Sequence, residues 1–157
     1  MKRLATTLSS VFMIFGCATN TPEVMSQNSL AMHIQEIAGG AEVSQNVVEF
    51  RYEGVGIACV SDENHDRMRL IAPIATLDAA EASRLEVLLI ANFHTTLDAR
   101  YAISDGVIYA AFLHPLSTLT RPQLESAIRQ VASLSLNFGS SYSSGELIFG
   151  ANRGRDI

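Results

Sequence analysis

Ser104-Asp105-Gly106 stands between two apolar runs, Ala99–Ile103 and Val107–Leu113. Asp-Gly suits the left-handed backbone of a two-residue hairpin turn, so the runs are expected to pair as antiparallel strands. Val107–Leu113 is apolar on both faces. Val107, Tyr109, Ala111 and Leu113 point one way, and Ile108, Ala110 and Phe112 the other. If helices pack on one face of such a sheet, the opposite face is partly apolar and uncovered. Which alternate set faces the helices is not readable from the sequence. Tyr109, Ala110, Ala111 and Phe112 together mark the candidate association surface.

Other signals surround this hairpin. Ser29 caps a short helix carrying Leu30, Ile34, Ile37 and Ala38, stopped by Gly39-Gly40. Val47–Tyr52 alternates, with Val48, Phe50 and Tyr52 on one face and Glu49 and Arg51 on the other. A turn at Glu53-Gly54 leads into the continuous apolar strand Val55–Val60. Past a charged loop, Arg67–Ala72 places Met68, Leu70 and Ala72 on one face. The second helix opens with capping-box spacing at Asp78 and Glu81, has Leu77 as a staple, and continues through Leu85, Leu88, Leu89 and Asn92-Phe93. The third opens with Thr120 and Gln123 in the same spacing, with Pro122 tolerated in its first turn. Its apolar stripe is Leu124, Ile128, Val131 and Phe138. The expected class is α+β, with a five-stranded antiparallel sheet and three helices in the order α-β-β-β-α-β-β-α.

The first residues bear on location. Lys2-Arg3, an apolar stretch from Leu4 to Phe15 and the small Gly16 form an export signal. The stretch is shorter than the roughly 20 residues of a membrane-spanning helix. It resembles a bacterial lipoprotein signal, with Ile14-Phe15-Gly16-Cys17 as the lipobox and Cys17 as the lipidated residue. The resemblance implies acyl chains on Cys17. It also implies the outer membrane facing the periplasm, because Ala18 rather than Asp follows the cysteine. Two other readings stay open: cleavage after Ala18, giving a soluble periplasmic or secreted protein, and a buried N-terminal helix of a cytosolic one. The expected division is a signal peptide at 1–16, a lipidated tether at 17–28, an α+β domain at 29–140 and a C-terminal tail at 141–157.

Charge and composition narrow the chemistry. Lys2 is the sole lysine, and the net charge is −5. Nucleic-acid binding depends on Lys and Arg neutralising phosphates, so it is not expected. Lysine Schiff-base and P-loop chemistry are excluded for the chain beyond the signal. Cys59 lies in an apolar run, where a buried, inert thiol is expected. Asp62, Asn64 and Asp66 open like a calcium loop. Arg67 then replaces the turn glycine and Pro73 the bidentate glutamate, so the segment reads as a solvated hairpin loop. His65 has no closed ligand set, and His33, His94 and His114 form no HExxH pair. No metal, cofactor or catalytic residue is expected.

Element order and two segments carry a further resemblance. One is Met68-Arg69-Leu70-Ile71-Ala72-Pro73, leading to Leu88-Leu89-Ile90-Ala91-Asn92-Phe93. The other is Ala102-Ile103-Ser104-Asp105-Gly106, leading to Leu119-Thr120 and Gln123-Leu124. From about Ser29 to Ser140 the chain resembles the type III secretion chaperone-like fold of the CesT and YbjN-like proteins. The resemblance implies a non-enzymatic module that binds a protein or peptide, with a homodimer as one arrangement. A small periplasmic enzyme such as a hydrolase, and a purely structural envelope lipoprotein, are the alternatives.

Overall fold

The computed structural model describes residues 24–77 and 82–145. The export signal, Cys17, the Asp78 and Glu81 capping pair and the apolar Leu147-Ile148-Phe149 segment lie outside the described residues. Nine elements follow in order: α1 (Gln27–Ala38), β1 (Ala41–Ser44), β2 (Val47–Tyr52), β3 (Val55–Asp62), β4 (Arg67–Thr76), α2 (Ala82–His94), β5 (Arg100–Ser104), β6 (Val107–His114) and α3 (Arg121–Leu136). The strands form one antiparallel sheet in the order β1-β2-β3-β4-β6-β5.

The sheet has six strands rather than the expected five. The addition is β1, which pairs with β2 from Ala41↔Phe50 to Ser44↔Val47. It is an edge strand of 4 residues without a buried side chain, so it lacks the alternation that marks a half-buried strand. The start of α1 also differs. Ser26 is the cap, and Ser29 is the N3 member of the same capping box, so the helix begins three residues ahead of the expected cap at Ser29. Capping at α3 is as expected, with Thr120 and Gln123 in a reciprocal box.

Two hairpins close through the turn chemistry read from sequence. Glu53 and Gly54 join β2 to β3 with φ of 50° and 83°, and Asp105 and Gly106 join β5 to β6 with φ of 49° and 73°. Positive φ at both central residues matches the right-handed twist of the flanking strands. β4 runs on past its expected end to Thr76, with a register shift between Pro73 and Ala75. Proline cannot donate to the ladder, and a bulge is where a strand tolerates it.

The core lies between one face of the sheet and the helices. α3 packs across β2 to β6, α1 covers β1 and β2, and α2 sits at β5. Val48, Phe50, Met68, Leu70 and Ala72 are buried there, as their alternation requires. The expected stripe of α3 meets them, with Leu124, Ile128 and Val131 fully enclosed.

Side-chain amides tie the margins of this core. Gln130 on α3 accepts from the backbone N–H groups of Asp98 (2.8 Å) and Ala99 (3.0 Å), fixing the turn before β5. Asn92 on α2 accepts from the Tyr101 N–H (2.7 Å) and donates to the Tyr101 carbonyl (3.0 Å). The carboxamide therefore takes the place of a neighbouring strand on the outer edge of β5, a sealed edge in the sense of protection against unwanted pairing.

Candidate interaction surface

The face of the sheet turned away from the helices is built from the alternate residues of each strand. Register runs Glu42↔Glu49↔Ala58↔Ile71↔Ala111↔Arg100 across all six strands. A second row is Val47↔Val60↔Arg69↔Leu113. The first row is apolar between its two ends, which carry opposite charge, and the second row has the exposed Arg69 among apolar residues. A groove of about 780 Å³ lies at the β1–β2 side, with Gly39, Gly40, Gly56, Ile71, Pro73 and Tyr109 in its lining.

The four residues expected as an association surface are split by this geometry. Ala110 and Phe112 point to the core, at 0% and 5% exposure, and so cannot form an outer surface. Tyr109 and Ala111 lie on the helix-free face, where the half-buried Tyr109 lines the groove and Ala111 is covered by its neighbours to 7% exposure.

A second apolar surface was not expected as such. Leu89, Ile90 and Phe93 follow Glu86 at helical spacing on the outward side of α2, with Val87 beside them. Leu89 is 70% exposed and Phe93 75%. The inward side of the same helix buries Leu88 and Ala91. Sequence periodicity had put Leu88, Leu89 and Phe93 into one apolar pattern, because α2 is apolar on both sides.

Among the described residues, titratable and nucleophilic side chains do not converge on one site. Asp62 bonds His65 Nδ1 at 2.7 Å on an exposed loop, and that bond holds its carboxyl below the usual range. Asp66 accepts from the backbone N–H (2.6 Å) and hydroxyl (2.9 Å) of Ser117, which lowers its carboxyl likewise. These bonds pin the β3–β4 loop to the segment before α3. His114 Nδ1 meets the Pro115 carbonyl, and His33 Nδ1 lies 3.8 Å from Glu36, which also pairs with Arg121. Cys59 is 1% exposed, and burial pushes its thiol up to about 12, as an inert core cysteine requires. Among the described residues, no three His, Cys, Asp or Glu side chains gather as metal ligands.

The arrangement thus offers an exposed apolar stripe on α2 and a mixed apolar and charged face on the sheet. No family model matches the sequence, and no curated protein does. Solved structures do match the fold. The chaperone SycH of Yersinia pestis, in complex with a stable fragment of YscM2, is similar with a TM-score of 0.57 and 14% identity. That match covers 73% of this chain and 100% of the other. The HopA1–SchA chaperone–effector complex matches with a TM-score of 0.53 and 12% identity, over 69% of this chain and 88% of the other. The ExoT–SpcS complex of Pseudomonas aeruginosa gives 0.52 and 10%, over 69% and 92%. The fold is that of the type III secretion chaperones. Identity this low establishes the chaperone-like fold alone, since one fold hosts many functions.

Proposed function

We propose that this chain is a non-enzymatic protein-binding module of the bacterial envelope, held to the membrane by lipid on Cys17. The observation that carries the binding role is the outward stripe of α2. Four large apolar side chains, Val87, Leu89, Ile90 and Phe93, stand between 41% and 75% exposed on one helix. Full burial of a fully exposed large apolar side chain is worth about 1.5–3 kcal/mol, and each of these would gain the part of that which matches the area it still exposes. Exposed apolar side chains grouped in this way suit an apolar contact, which we take to be with another protein. Known structures of the same fold, taken with bound protein partners, support the reading. Tethering is supported by the lipobox-like Ile14-Phe15-Gly16-Cys17.

One set of variants tests both parts. Cys17→Ser is expected to move the protein from the membrane fraction to the soluble one. On that soluble background, light scattering should show concentration-dependent self-association through the α2 stripe. Adding Leu89→Glu and Phe93→Glu should abolish it while circular dichroism stays unchanged, because both side chains already face water. Self-association that survives both charges would remove α2 as the contact. Membrane retention of Cys17→Ser would remove the lipid anchor.

A further inference from the structure

We infer that the groove at the β1–β2 corner of the helix-free face binds a segment of another protein that presents a basic side chain beside apolar ones. This rests on the protein-binding reading and assigns its ligand class. The groove passes from the Gly39-Gly40 link over Gly56 and Ala58 to Ile71, Pro73 and Tyr109. Its floor is apolar, and its volume of about 780 Å³ is on the scale of a few side chains. Gly56 makes a notch in that floor: a Cβ added there would meet nothing within 4 Å.

The charge beside the notch selects the ligand. Glu42 and Glu49 stand directly opposite each other on β1 and β2, and both line the groove. Like charges in that relation destabilise a strand pair. Both residues are exposed, and among the described residues neither carboxylate meets a cation. Arg51 lies two residues along the same face but turns its guanidinium to the Gly54 carbonyl, at 2.7 Å. The fold therefore sets two carboxylates without an ion-pair partner among the described residues at the rim of an apolar notch, with Arg51 also in the lining but bonded to the Gly54 carbonyl. An Arg or Lys from a ligand relieves the repulsion, and apolar neighbours of that residue fill the space over Gly56 and Ala58.

Selection of random dodecamer peptides displayed on phage against the full chain supplies the probe. Selected peptides are then synthesised and titrated by fluorescence anisotropy. Enriched sequences are expected to share an Arg or Lys beside apolar residues. Their affinity should fall about tenfold in Glu42→Gln with Glu49→Gln, and should weaken as salt is raised. Gly56→Leu should remove binding with an unchanged circular dichroism spectrum, since the strand has room for the side chain. Enriched peptides that lack a basic residue, or that bind both variants like the wild type, overturn the groove assignment. Binding lost only in Leu89→Glu with Phe93→Glu overturns the groove and leaves the protein-binding reading standing. A Gly56→Leu change that abolishes self-association while peptides fail to bind makes a second copy the occupant and also overturns it. If nothing enriches above an unrelated control protein, both readings fall.

Discussion

Replacing Ala110 by Arg is expected to unfold the domain, whereas the same change at Ala111, one residue away, leaves it folded. Ala110 is fully enclosed between Ala72 on β4 and Tyr101 on β5, under the helix layer. The buried polar side chains among the described residues are Ser61, Thr96, Gln130 and Ser144, none of them charged. A guanidinium there has no carboxylate to pair with. An unpaired buried charge costs about 4 kcal/mol or more, against a total stability of about 5–15 kcal/mol for an ordinary domain. Ala111, at 7% exposure, is covered by its sheet neighbours but sits on the helix-free face between Ile71 and Arg100, outside the cluster packed under the helices. A long side chain at that position can run along the apolar surface and keep its charge in water. Denaturant unfolding followed by circular dichroism separates the two. Loss of fold in both variants would mean that the second face is also core. A folded Ala110→Arg with an unfolded Ala111→Arg would invert the assignment of faces.

Gln130→Leu is expected to cost about 2–4 kcal/mol without a change of fold. Leucine keeps most of the volume, so packing is not the main loss. The amide oxygen of Gln130 receives two backbone donors, and Ala99, which carries one of them, is fully buried. Removing the acceptor strands the buried Ala99 N–H, at a cost of about 1–3 kcal/mol, while the N–H of the exposed Asp98 loses a bond that water can partly replace. Denaturant titration gives the magnitude, and hydrogen exchange gives the place, with the Asp98 and Ala99 amides losing protection first. A change under about 0.5 kcal/mol with both amides still protected would show that other acceptors or water take over.

These two sites also show how far the sequence could be read. The hairpin at Asp105-Gly106, the box at Thr120 and Gln123, and the alternation in Val47–Tyr52 are local signals. Each is enforced by backbone chemistry within a few residues, and each appears in the structure where it was expected. Gln130 left no such trace, because it bonds backbone more than thirty residues away. Asn92 likewise reaches 9 residues on, to the edge of β5. β1 escaped because an exposed edge strand needs no apolar alternation, and the Glu42 side of the groove escaped with it.

Apolar periodicity has a different limit. It says which residues share a face, not which face is covered. For β6, only the side on which the helices lie separates Ala110 and Phe112, in the core cluster, from Tyr109 and Ala111 outside it. For α2, the spacing of Leu89, Ile90 and Phe93 is that of a core stripe, yet the fold turns it outward. A stripe that reads as core and stands in water is the kind of surface that an apolar contact completes, and the proposed contact is another protein.

A photoreactive amino acid at position 93, in the full chain and in intact cells, tests that claim most directly. The same residue at position 129, on the exposed outer side of α3, is the control. Illumination is expected to give discrete protein adducts from position 93 and none from position 129. No adduct from position 93, or the same adducts from both positions, would contradict a protein-binding role for α2.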